Sequence, residues 1–227
     1  MKRILCTVIS CILLLLCAVP VGASATASVP TRVINVVYDD SGSMYSGTDT
    51  WCRAKYSMEV FSAMLGETDK MNVYYMSDYI GSTSAPPRIT LNGADGADIN
   101  VAKLHNEKTF ADSTPFNAVR KAYADLDGAD AEEKWLVILT DGEFENGRMS
   151  SAEIDSYLAG KSNDVKVMFL GMGQNAAGIT ENAGNGIYYV DAKTNSQILS
   201  RITEICTRVF NSNKLEVNVS AKTCSFD

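Results

Sequence analysis

The residues best suited to chemistry are Asp39-Asp40-Ser41-Gly42-Ser43, Ser113-Thr114-Pro115 and Thr140-Asp141-Gly142-Glu143. Their side chains offer carboxylate and hydroxyl oxygens, the ligands that hard divalent cations take. Mg²⁺ keeps several waters and uses only one or two protein carboxylates. Serine and threonine hydroxyls fill further positions without adding charge. An ion held this way stays net positive and can accept a carboxylate from outside. Zinc suits the chain poorly, because His105 is its only histidine and no cysteine stands at ligand spacing. Taken singly, each stretch is also ordinary turn and helix-cap chemistry. The chemical reading depends on all three meeting at one point.

Short apolar runs alternating with helical patterns supply the elements that would bring them together. Arg32–Tyr38 (RVINVVY), Met71–Met76, Trp135–Thr140 (WLVILT), Val165–Leu170 and Ile187–Val190 read as buried strands, with an edge strand at Arg88–Leu91. Helical spacing covers Trp51–Leu65, Thr114–Leu126, Ser151–Ala159 and Ser196–Phe210, with Thr114 as a cap and Pro115 at the first helical position. Pro86, Pro87, Gly93 and Gly96 mark an irregular stretch. The alternation predicts an α/β fold: a doubly wound, mostly parallel sheet with helices on both faces. Ligands of such sheets bind outside the carboxyl ends of the strands, where the strand order reverses. Asp39 and Asp141 each follow a strand.

The pattern Asp39-x-Ser41-x-Ser43, then Thr114, then Thr140-Asp141-Gly142 resembles the metal-ion-dependent adhesion site of von Willebrand factor type A domains. The likeness runs from about Arg32 to Phe210, with STPF ahead of a helix and WLVILTDGE in family order. It implies that Ser41, Ser43 and Thr114 bind the metal directly or exchange with water, while Asp39 and Asp141 orient waters and hold charge. The metal would be Mg²⁺ or Mn²⁺, with Ca²⁺ a further option. A protein or extracellular-matrix partner would complete the coordination with an acidic residue. Asp40 occupies a position the motif does not require, where its charge would strengthen metal binding or weaken capture of an acidic ligand. Asp40, Met44, Tyr45 and Glu143 are candidates for the rim that touches a partner.

Other readings have less behind them. Some relatives use the domain for assembly, so a structural role in a larger surface protein is the second reading. Asp40-Ser41-Gly42 also resembles the serine block of the SGNH esterases, which need a late histidine with an aspartate three residues before it. His105 is mid-chain, lacks that aspartate and reads as an exposed loop residue, and the G-x-S-x-G elbow is missing. Gly171-Met172-Gly173-Gln174 lacks the further glycine and lysine of a nucleotide loop and reads as a turn. Tyr74, Tyr75, Tyr188 and Tyr189 lie in strands and read as packing.

The composition fits this picture. Apolar residues at 46% and charged residues at 21% of 227 exclude disorder and collagen-like structure. A net charge of −7 without a basic patch argues against nucleic acid. Lys2 and Arg3, an apolar run from Ile4 to about Val19, and two A-x-A exits at 23–25 and 25–27 describe a signal peptide over 1–27. An uncleaved membrane anchor is the alternative. Export leads to a secreted or cell-surface protein whose mature chain has no membrane span. Removing Lys2 and Arg3 takes the charge from −7 to −9. Cys52, Cys206 and Cys224 then remain, an odd number that leaves one thiol over whichever pair forms. Residues 28–212 form the predicted domain, and 213–227 an extension in which Leu215–Val219 alternates like one more strand.

Overall fold

The computed structural model describes residues 31–46, 50–105, 113–142, 144–173 and 179–210. The expected signal segment, the extension 213–227, Glu143 and Cys224 lie outside them. Six strands form one sheet: β1 (Arg32–Tyr38), β2 (Lys70–Tyr75), β3 (Ile89–Asn92), β4 (Glu133–Thr140), β5 (Val165–Gly171) and β6 (Ile187–Asp191). Their order is β3-β2-β1-β4-β5-β6, and every pairing is parallel except β2 with β3. Strand order therefore reverses between β1 and β4, where Tyr38 stands opposite Leu139. The doubly wound α/β prediction holds.

The helices are α1 (Gly42–Ser46), α2 (Thr50–Ala63), α3 (Ala97–His105), α4 (Asn117–Asp127), α5 (Ser151–Ala159) and α6 (Asn195–Phe210). Alternating strand residues feed two cores. Ile34, Val36, Trp135, Val137 and Leu139 pack with α2, α3 and α6 on one face. Val33, Val37, Leu136 and Ile138 pack with α4 and α5 on the other. The central strands β1 and β4 are buried on both sides, which explains why they read as nearly continuous apolar runs, interrupted in β1 by the buried Asn35. Helix α5 begins in a capping box, with Ser150 Oγ accepting from Glu153 N–H and the Glu153 carboxylate accepting from Ser150 N–H.

Three expectations need correction. The segment after Gly96, where no element was expected, forms α3, so His105 ends a helix instead of lying in a loop. Helix α4 begins three residues later than predicted, and Thr114 does not cap it: Phe116 occupies the cap position, without a side-chain cap bond. The strand expected to end at Met76 ends at Tyr75, and Met76–Tyr79 forms a 3₁₀ turn.

Candidate functional site

Asp39 leaves β1 with its N–H donating to Leu139 O at 3.0 Å, which sets it beside the end of β4. Its carboxylate is fully buried. Oδ2 accepts from the Thr140 hydroxyl at 2.7 Å and Oδ1 from Ser41 N–H at 3.0 Å. Thr140 Oγ1 accepts in turn from Gly142 N–H at 3.0 Å. The Ser41 and Ser43 hydroxyls lie 3.0 Å apart, Ser41 buried and Ser43 exposed. Burial, and then the neighbouring charge of Asp141, push the Asp39 pKa up to about 6, although hydrogen bonds from Ser41 and Thr140 pull it down. The two aspartates are thus close enough to oppose each other's ionisation.

The turn after β4 is tightly built. Gly142 has φ 111°, open to glycine at no steric cost. A Cβ on Gly173 would stand 2.5 Å from Asp141 Cβ and 2.8 Å from the Asp141 carbonyl oxygen. The Gly171–Gly173 turn therefore serves as the wall against which Asp141 packs. Thr114 reaches the same loop from the other side. Its carbonyl accepts from Glu145 N–H at 2.8 Å and its hydroxyl from Asn146 N–H at 3.2 Å.

The donors fit a hard divalent cation. No group of three or more His, Cys, Asp or Glu side chains is placed to hold a metal ion among the described residues. A cation here would rely on two carboxylates and on hydroxyls. Ser41 and Ser43 supply adjacent hydroxyls, and the opposed charges of Asp39 and Asp141 are what a cation would relieve.

The rim residues fare differently from one another. Met44 is fully buried, so it belongs to the core beneath α1 and not to a contact surface. Asp40 is also fully buried. Its Oδ1 accepts from Ser77 N–H at 2.9 Å, and it turns towards the Met76–Tyr79 segment, so it cannot face a docking partner. Tyr45 is half-buried and stacks on Trp51 at 4.3 Å. Burial, and then the charge of Asp40, push its hydroxyl pKa up to about 12. Trp51 meets Tyr38 edge-on at 5.5 Å, and Tyr38 meets Tyr75 at 5.1 Å, making an aromatic row beside the acidic turn. Glu143 lies outside the described residues.

Sequence reasoning missed Glu145, Asn146 and Arg53. Arg53 is buried on α2 and donates to Met172 O at 3.0 Å and Thr50 Oγ1 at 3.1 Å, tying α2 to the turn behind Asp141. Its only sequence signal was a cation on the buried face of a helix. His105 is exposed and contacts Glu59 at 3.3 Å.

No family model matches the chain, and no curated protein matches it in sequence. Solved structures do match in fold. A D319A mutant of the PilB minor pilin from Streptococcus sanguinis superposes with a TM-score of 0.58 at 14% identity, over 82% of this chain and 63% of the pilin. A von Willebrand factor type A protein from Catenulispora acidiphila gives 0.54 at 12% identity, over 79% of this chain and 42% of that one. The pilus adhesin SpaC from Lactobacillus rhamnosus GG, in an open conformation, gives 0.50 at 18% identity, over 80% and 30%. The chain thus spans less than two thirds of each of these proteins. At such identities the likeness is one of fold.

Proposed function

We propose that the chain is a von Willebrand factor type A domain acting outside the cytoplasm as a non-enzymatic, divalent-cation-dependent binding module. The observation that carries this reading is the placement of Asp39, Ser41 and Ser43 after β1 and of Asp141 after β4, at the reversal of strand order. Ser41, Ser43 and Thr114 would hold Mg²⁺ directly or through water, with Asp39 and Asp141 holding waters and balancing charge. The ion supplies a Lewis-acidic position for a carboxylate from a protein or matrix partner. The fold likeness to a pilus adhesin supports a role in surface adhesion, and the likeness to a minor pilin supports assembly of a surface structure as the second reading. No helix among the described residues is long and apolar enough to cross a membrane.

A hydrolytic reading finds less support. Ser41 Oγ lies against Ser43 Oγ, whereas the only histidine of the sequence stands at the end of α3 against Glu59. Nothing in this contact set activates the serine. The deciding experiment is partner capture from surface extracts with Mg²⁺ and with EDTA, beside circular dichroism of the same samples. Adhesion predicts release by EDTA without loss of fold. Capture that survives EDTA favours assembly.

A further inference from the structure

The loop leaving β4 carries both Asp141 and the contacts that fix Thr114. Beyond Asp141 it buries Phe144, which meets Phe116 edge-on at 5.1 Å. It then passes through Glu145 (φ 54°), Asn146 (φ 55°) and Gly147 (φ 78°). Left-handed backbone suits glycine and is tolerated by asparagine, but it strains a residue such as glutamate. Strain of this kind persists only where surrounding contacts hold it.

Those contacts converge on the Thr114 segment. Glu145 N–H donates to Thr114 O at 2.8 Å, and Asn146 N–H donates to Thr114 Oγ1 at 3.2 Å. Asn146 Oδ1 accepts from Thr114 N–H over a long 3.4 Å, and Glu145 Oε1 accepts from Phe116 N–H at 2.9 Å, at the start of α4. The carbonyl, amide and hydroxyl of Thr114 are thus all engaged by two consecutive residues in left-handed conformation.

We infer that Asn146, braced by Glu145, is a positioning residue for Thr114, fixing the hydroxyl that would serve the cation. The inference rests on the metal reading above. A hydroxyl has two lone pairs and one proton. Asn146 N–H takes one lone pair, leaving the other for an ion and the proton for a bridging water, while Asn146 Oδ1 holds the Thr114 amide and so keeps the hydroxyl and that N–H in register. The hydroxyl is then oriented before a ligand arrives, and the same loop joins it to Asp141.

Asn146→Gly separates positioning from folding. It keeps the backbone N–H and the left-handed turn and removes the side chain with its Oδ1 acceptor. In the metal-free chain the Thr114 amide should exchange its hydrogen faster, by on the order of tenfold, while Tm does not fall. Mg²⁺ affinity by calorimetry should drop by on the order of tenfold, as for other outer-shell partners of a metal site. Asn146→Asp restores an acceptor and should restore Thr114 protection. A variant N146G that matches the parent in both exchange and affinity overturns the inference. So does a loss of affinity that merely follows a fall in Tm and is not rescued by N146D. A parent that takes up no Mg²⁺ sinks the metal reading, and with it any ligand-positioning role for Asn146. A parent that binds while N146G binds equally well sinks the inference alone.

Discussion

The two ends of β1 handle buried charge in opposite ways. At its amino end Arg32 is buried and donates to Asp69 at 2.9 Å and to Glu133 at 2.8 Å, so one guanidinium answers two carboxylates. At its carboxyl end Asp39 is buried beside a second aspartate, and its hydrogen bonds come from the neutral donors Ser41 N–H and Thr140 Oγ1. The first arrangement pairs unlike charges within the chain, although Asp69 Oδ1 is buried without a hydrogen-bond partner. The second holds like charges together and is the place where a cation would be gained. A strand whose lower end is anchored by a buried ion cluster is a firm base for an upper end that would bind.

The largest expected effect lies at the lower end. Arg32→Ala leaves Asp69 and Glu133 without their guanidinium and should cost about 3–5 kcal/mol of unfolding free energy in urea titrations. A loss below about 1 kcal/mol would mean that the cluster behaves like a surface pair. The upper end should respond with the opposite sign. Asp39 has a folded pKa of about 6 against an ordinary 3.8, so the metal-free chain binds its proton more tightly than the unfolded chain does. This group's stability is fully present below pH 3.8 and is lost as pH rises through 6, by about 3 kcal/mol. Asp39→Asn should remove that pH dependence and leave the metal-free protein more stable at pH 7. Equal pH profiles for parent and variant would refute the account of opposed charge.

Smaller effects sharpen the contrast. Gly173→Ala forces a Cβ into Asp141 and should cost about 1–3 kcal/mol while weakening Mg²⁺ binding, since Asp141 must give way. Unchanged Mg²⁺ affinity would show that the position of Asp141 does not matter to the site. Thr114→Ser keeps the hydroxyl and should change Tm least. Thr114 does not cap α4, so no capping energy is at stake. A clear fall in Tm for this variant would expose a packing role for the threonine methyl group.

These contrasts also show what could be read from the sequence. β1 and β4 announced themselves because both of their faces are buried, so almost every residue from Val33 to Tyr38 and from Trp135 to Leu139 is apolar, the buried Asn35 excepted. The Asp39-x-Ser41-x-Ser43 spacing is local and survives as a pattern. Helix α3 was hidden because only Asn100 and Leu104 are buried along it, too few to make an apolar stripe. Met44 and Asp40 looked like rim residues because they flank the motif, but α1 turns one into the core and Ser77 N–H draws the other inward. The hold of Asn146 on Thr114 spans 32 residues and relies on left-handed backbone, which no periodicity encodes.

The central claim is that the carboxyl ends of β1 and β4 form a cation site in which Asp39 gives up a proton to let the ion in. Calorimetric titration of Mg²⁺ at pH 6 and pH 8, in buffers of different ionisation enthalpy, reads both events together. The account predicts one ion per chain, release of about half a proton at pH 6 and almost none at pH 8, and loss of both signals in Asp39→Asn. An absence of binding heat in the parent, or binding with the same proton count in the variant, would contradict it.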